Sequence, residues 1–127
     1  MSESVLDASI PLAIFRNEQF DADVLDVVEG ALMSAVNFAE VWTKLHDFGL
    51  TSAPRVQAFF ALLDRIEPFT QSQARLAADL RPATNHVGLS LGDRACLALT
   101  LALEAEVYTA DRLWSKLDIG CKIHVIR

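Results

Sequence analysis

Four carboxylates are the side chains of this sequence best placed to do chemistry together: Asp7, Glu40, Asp93 and Asp111. Asp7 directly follows the short apolar run at 4–6, and Asp111 follows a second such run at 107–110. Glu40 comes six residues after Ser34, and Asp93 stands at the start of a long apolar helical stretch. Carboxylates gathered from such distant parts of a chain repel one another and stay ionised only beside compensating cations. An all-oxygen ligand set suits Mg²⁺ or Mn²⁺, which keep several waters and favour phosphate-bearing substrates. The chemistry is then metal-assisted phosphodiester hydrolysis. One ion makes the nucleophile by lowering the pKa of a bound water, and a second would stabilise the leaving oxygen about 3.5–4 Å away.

Each acid also has a plainer role open to it. Asp7 could cap a helix beginning at Ala8, and Asp111 could cap one beginning at Arg112. Ser90 and Asp93 have capping-box spacing. Glu40 precedes Lys44 by one helical turn, the spacing of a surface ion pair. Against these readings, Glu40 lies among Val36, Phe38, Val41 and Trp42, and Asp93 opens a helix with no polar face. An acid in such apolar company needs a strong partner.

The elements that must position these acids alternate between two periods. Segments 4–7, 31–34, 106–109 and 122–126 read as strands, and 67–70 as an edge strand, because Pro68 cannot donate to a central ladder. Helices are expected over 8–15, 21–29, 36–48, 54–66, 71–81 and 92–105, with a short one over 111–117. Gly30 and Gly49 act as stop signals, and 81–86 reads as loop. Strands alternating with helices imply a parallel sheet covered on both faces. The class is α/β: a three-layer α/β/α fold around a central, mostly parallel, short-stranded sheet. In open sheets of this kind ligands bind beyond the carboxyl ends of the strands, where Asp7 and Asp111 fall.

The chain has 127 residues and a net charge of −6, from 17 acidic and 11 basic side chains. That length suits a single domain over 1–127 with one core. With 52% hydrophobic and 22% charged residues, the chain is too apolar to be disordered. The acidic balance excludes tight, metal-independent binding of nucleic acid across a broad basic face. It does not exclude a pocket that meets phosphates through a metal, since two bound Mg²⁺ ions would bring −6 to −2. Cys96 and Cys121 form no CxxC pair and read as buried thiols of a reducing cytosol. The N-terminus lacks the basic region of a signal peptide. The longest strongly apolar run, 95–103, is far shorter than the roughly 20 residues of a membrane span. A cytoplasmic protein with no membrane partner is expected.

Four motifs carry a family resemblance. Val5-Leu6-Asp7-Ala8-Ser9, Ser34-Ala35-Val36-Asn37-Phe38-Ala39-Glu40-Val41, the run 88–99 around Gly92-Asp93-Arg94, and Thr109-Ala110-Asp111-Arg112-Leu113-Trp114 closely resemble the PIN-domain toxins of bacterial VapBC toxin–antitoxin modules. All four stand in the family's order and span nearly the whole chain. The resemblance implies a PIN-like fold and a Mg²⁺- or Mn²⁺-dependent endoribonuclease, a VapC-type toxin that halts translation by cutting RNA, often tRNA or rRNA. It implies a cognate VapB-like antitoxin, which would present a helix and an arginine to the acidic pocket, and a homodimer. By motif match Asp7, Glu40, Asp93 and Asp111 take the catalytic metal-ligand positions, and Ser9, Asn37 and Thr109 the polar positions that support them. Some PIN nucleases carry a further acid three residues after the last one; here that position is Trp114, which leaves open whether one metal binds or two.

Other residues are not assigned to chemistry. His46, His86 and His124 share no ligand spacing and read as surface or structural residues. Trp42 and Trp114 read as packing residues, with Trp114 also close enough in sequence to Asp111 to line the cleft. Phe59, Phe60, Leu62 and Leu63 exceed what one helical stripe needs, so part of that cluster is a candidate for a partner helix or a second subunit. Arg94 and Arg112 each follow a candidate metal acid; they are candidates for RNA phosphates, or for ion pairs that brace the acids. Two other classes stay open: a receiver-like Mg²⁺-binding phosphoacceptor domain, and a non-catalytic protein-binding module whose acids only cap helices. The first would carry adjacent acids after the first strand and a lysine after the last functional strand, and neither is placed so here.

Overall fold

Short strands with alternating apolar residues build the sheet of this protein, whose computed structural model describes residues 2–18 and 24–126. The strands are β1 (Ser4–Leu6), β2 (Leu32–Ser34), β3 (Arg65–Glu67), β4 (Glu106–Thr109) and β5 (Lys122–Val125). All pair in parallel in the order β3-β2-β1-β4-β5. Because successive strand side chains point to opposite faces, Leu6 and Met33 enter one core while Val5, Leu32 and Val107 enter the other.

Helices cover both faces. Against the Leu6 face lie α1 (Ser9–Phe15), α2 (Val24–Val28), α3 (Ala35–Phe48) and α4 (Pro54–Leu62), through Ile10, Phe15, Val28, Val41, Leu45, Val56 and Phe59. Behind the Val5 face lies α7 (Leu91–Ala102), with Cys96, Leu97 and Leu99 fully buried. Helix α5 (Gln71–Asp79) packs on α7, and α6 (Arg81–Thr84) follows it. The α/β/α layering expected from the sequence is therefore present, with a wholly parallel sheet.

The chain runs β1 to β2 to β3 toward one edge, then returns to place β4 on the other side of β1. That reversal makes the β1/β4 junction the topological switch point, where open α/β sheets form their ligand crevice.

Three local expectations need correction. Helix α4 ends at Leu62, not at 66, and β3 begins at Arg65 rather than 67. Leu63 turns extended, while Gly30 N–H donates to Leu62 O and Asp64 N–H to Ala31 O, drawing the chain alongside β2. Pro68 then falls just past the edge strand. Residues 81–84, expected as loop, form α6 because Pro82 sits in a first turn where its missing N–H costs nothing. The short helix after Asp111 is a 3₁₀ turn, Arg112–Lys116. The start of the helix expected over 21–29 lies outside the described residues.

Among the described residues no helix is long and apolar enough to cross a membrane. Both cysteines are free; Cys96 is buried, and Cys121 only half-buried.

Candidate active site

The end of β1 delivers Asp7 to the switch point. Its N–H donates to Tyr108 O (3.2 Å), continuing the β1–β4 pairing, and its side chain is 3% exposed. Both carboxylate oxygens are held. Ser9 Oγ–H donates to Asp7 Oδ1 (2.6 Å), as does Ser9 N–H (3.1 Å), and Thr109 Oγ1–H donates to Asp7 Oδ2 (2.7 Å). The same hydroxyls also serve as acceptors: Ser9 Oγ for Ala110 N–H (2.8 Å) and Thr109 Oγ1 for Asp111 N–H (3.0 Å). A hydroxyl can donate once and accept twice, so two small residues join Asp7 to the start of the β4 exit loop.

Asp111, half-buried, accepts from Leu113 N–H (3.0 Å) and caps the 3₁₀ turn, as the plainer reading of this acid anticipates. It lines a cleft with Ser9, Ala110 and Arg112. Asp93 completes a capping box: Asp93 N–H donates to Ser90 Oγ (3.2 Å), and Ser90 N–H to Asp93 Oδ2 (3.0 Å). Capping engages one oxygen of each acid, so it does not displace a role in the cleft.

Glu40 corrects an expectation. Its neighbour Val41 is buried, but Glu40, about 100° further round α3, is itself exposed. Asn37 Nδ2–H donates to Glu40 Oε1 (2.8 Å) and to Gly92 O (3.0 Å), tying α3 to the first turn of α7.

Charge shows which acids share a neighbourhood. The Asp7 carboxyl is raised to about 7, chiefly by burial and further by the negative charge of Asp93, while the bonds from Ser9 and Thr109 pull it down. The Cys96 thiol is pushed well up by burial and then by the charges of Asp7, Asp93 and Glu40. Three of the four acids therefore lie near enough to one buried sulfur for their charges to act on it, and Asp111 is linked to Asp7 through Thr109.

Among the described residues no three His, Cys, Asp or Glu side chains are already gathered into a metal-binding cluster. The residues nevertheless fit a hard divalent cation. Their donors are all oxygen, Asp7 is a buried carboxylate repelled by a second acid, and Asn37 Oδ1 is a buried acceptor with no donor among the described residues.

The structure separates the two arginines. Arg94 is 8% exposed and its Nη1–H donates to Ala77 O (2.9 Å), so it fastens α7 to α5 and faces no solvent-borne phosphate. Arg112 is exposed in the Asp111 cleft. Trp114 is fully buried in the core behind the Val5 face, so it packs and does not line the cleft. The histidines stay away from the acids: His124 pairs with Glu106 (2.8 Å), His86 reaches Lys116 O, and His46 is exposed on α3. Sequence reasoning missed Gly92. The available signal was a glycine inside a helix, immediately before a candidate ligand.

A family model described as PIN domain matches residues 4–120. No curated protein matches the sequence. Among solved structures, VapBC2 from Rickettsia felis bound to a promoter DNA fragment aligns with TM-score 0.71 at 15% identity, covering 98% of each chain. VapC20 from Mycobacterium tuberculosis, a sarcin–ricin loop cleaving toxin, aligns with TM-score 0.70 at 16% identity, covering 89% of this chain and 93% of that one. A toxin–antitoxin complex from Klebsiella pneumoniae aligns with TM-score 0.68 at 16% identity, over 90% and 92%. At these identities the likeness establishes the fold.

Proposed function

Since this chain belongs to the PIN domain family, we propose that it is a metal-dependent endoribonuclease and the toxin of a VapBC-type toxin–antitoxin module. The observation that carries the reading is Asp7: a buried carboxylate at the switch point, gripped by Ser9 and Thr109 and charged against Asp93. A bound cation offsets such an arrangement at neutral pH, where otherwise a proton must. Asp7, Glu40, Asp93 and Asp111 would hold Mg²⁺ or Mn²⁺. Such an ion, when bound, lowers the pKa of a coordinated water and neutralises charge on the phosphodiester.

The chain's own residues do the positioning. Ser9 and Thr109 fix both oxygens of Asp7, and Asn37 fixes Glu40 against α7. The capping bonds fix one carboxylate oxygen each of Asp93 and Asp111, and Arg112 stands in the cleft for a substrate phosphate. Arg94 has no such part. The substrate class is RNA, in the tRNA or rRNA range, acted on in the cytoplasm by a domain spanning 1–127. A cognate antitoxin restrains the site, and the toxin forms a homodimer.

The phosphoacceptor alternative is disfavoured by topology: receiver-type sheets run 2-1-3-4-5, and this one runs 3-2-1-4-5. The test is incubation of purified protein with RNA and Mg²⁺ or Mn²⁺, alongside Asp7→Asn and Asp93→Asn. Cleavage by the wild type that is lost in both variants and abolished by chelation supports the reading. Equal cleavage by the variants overturns the site.

A further inference from the structure

Gly92 occupies the second position of α7 with an ordinary helical backbone, so no left-handed turn explains its presence. Glycine in a helix is costly relative to alanine. What the missing side chain provides is room: a Cβ at position 92 would lie 2.4 and 2.5 Å from the two carboxylate oxygens of Glu40 and 2.6 Å from its Cδ. Beneath this contact, Asn37 Nδ2 bonds both Glu40 Oε1 and Gly92 O. The next residue is Asp93.

Resting on the metal-nuclease reading above, we infer that Gly92 is a positioning residue: its bare Cα forms the slot that seats the Glu40 carboxylate on α7 beside Asp93. Glutamate at 40 and glycine at 92 are a size-matched pair. Because the clashing atoms are the far end of an exposed side chain, Gly92→Ala pushes the carboxylate out toward water at little cost to the fold. The substitution therefore damages the site without unfolding the protein.

The experiment is a cycle of Gly92→Ala, Glu40→Asp, Glu40→Ala and the corresponding doubles, each measured without and with Mn²⁺. In the metal-free protein, the Asn37 side-chain amide signal reports the bond to Glu40. It is expected to move on Gly92→Ala toward its position in Glu40→Ala, and to stay put when Gly92→Ala is added to Glu40→Ala. Mn²⁺ binding is expected to weaken about 10- to 100-fold in Gly92→Ala. In the Glu40→Asp background, whose shorter side chain already leaves the slot, the same change should cost less than about twofold. The melting temperature of the metal-free Gly92→Ala protein should not fall. An unmoved Asn37 signal, or an equal loss of Mn²⁺ affinity in both backgrounds, overturns the inference. If Gly92→Ala proves unstable, the Glu40→Ala background decides: instability that persists there also overturns it. Wild-type protein that binds Mn²⁺ yet cuts no RNA would sink the nuclease reading while leaving the Gly92–Glu40 pairing intact.

Discussion

Thr109 and Asp7 meet across the β1/β4 junction, the threonine hydroxyl donating to Asp7 Oδ2 at 2.7 Å from 102 residues away. Thr109 is fully buried, and its hydroxyl is simultaneously the acceptor for Asp111 N–H. One side chain thus favours the ionised form of one acid and holds the backbone of another. Thr109→Val preserves the shape and removes both bonds. It should destabilise the protein by about 1–3 kcal/mol, the cost of stranding buried polar partners. Because the lost bond favoured ionised Asp7, the Asp7 carboxyl should titrate at higher pH in the metal-free variant, followed by carbonyl NMR. Thr109→Ser keeps the hydroxyl and should return the titration to its wild-type position. No change in Thr109→Val would show that the bond does not govern Asp7.

Asp7 makes the metal-free fold weaker as pH rises. Its carboxyl titrates near 3.8 when unfolded and at about 7 when folded. A raised folded pKa contributes stability that is complete below the unfolded value and is lost as pH rises through the folded one. At about 1.4 kcal/mol per pH unit, the loss between pH 4 and 7 is on the order of 4 kcal/mol. Asp7→Asn removes this dependence, so it should melt higher than wild type at pH 8 in chelator, with the difference shrinking toward pH 4. Saturating Mn²⁺ should raise the wild-type melting temperature and leave Asp7→Asn nearly unmoved. Parallel pH–stability curves for the two proteins would contradict the buried-charge account.

What the sequence made legible was the alternation of periods. Val5 and Leu6 divide between two cores as strand residues must, and Gly49 ends α3 in the left-handed conformation expected of a stop. That pattern alone puts Asp7 and Asp111 beyond strand ends, where β1 and β4 stop at Leu6 and Thr109. What it hid depended on tertiary contact. Arg94 looks like any basic residue beside an acid until α5 packs over it and Ala77 O accepts from it. Glu40 has apolar sequence neighbours on both sides, but a helix separates adjacent residues by about 100°, so it is exposed while its carboxylate is held by Asn37. The end of α4 is not legible because Leu62, Leu63 and Ile66 suit a buried helix and a strand equally well.

Trp114 stands where some PIN nucleases place a further acid, and its surroundings forbid the exchange. Its side chain is fully buried with Val5, Leu97 and Val107 in the same core. Trp114→Glu should therefore unfold the protein instead of creating another ligand: losing the indole alone costs about 3–5 kcal/mol, and the buried carboxylate adds to that. Circular dichroism with and without Mn²⁺ checks it. A folded variant with tighter Mn²⁺ binding would mean that the 3₁₀ turn can rotate this side chain into the cleft.

The two arginines that follow site acids should separate cleanly under mutation. Arg112 is exposed in the cleft with Ser9 and Asp111, so Arg112→Ala should leave the melting temperature unchanged. If it meets a phosphate, RNA binding should weaken for all sequences alike, with the salt dependence of affinity falling by about one unit of slope. Arg94 is buried and donates to Ala77 O, and among the described residues its Nε has no partner. Arg94→Ala should lower the melting temperature by opening the α5–α7 contact, and at a temperature where both proteins are folded its salt slope should match wild type. Arg94→Met, which refills the space without a charge to bury, should recover most of that loss. Binding assays on inactive Asp7→Asn protein in Ca²⁺, run across a salt series, separate the two roles. Equal slopes for Arg112→Ala and wild type would remove Arg112 from the RNA path, and a reduced slope for Arg94→Ala would return Arg94 to it.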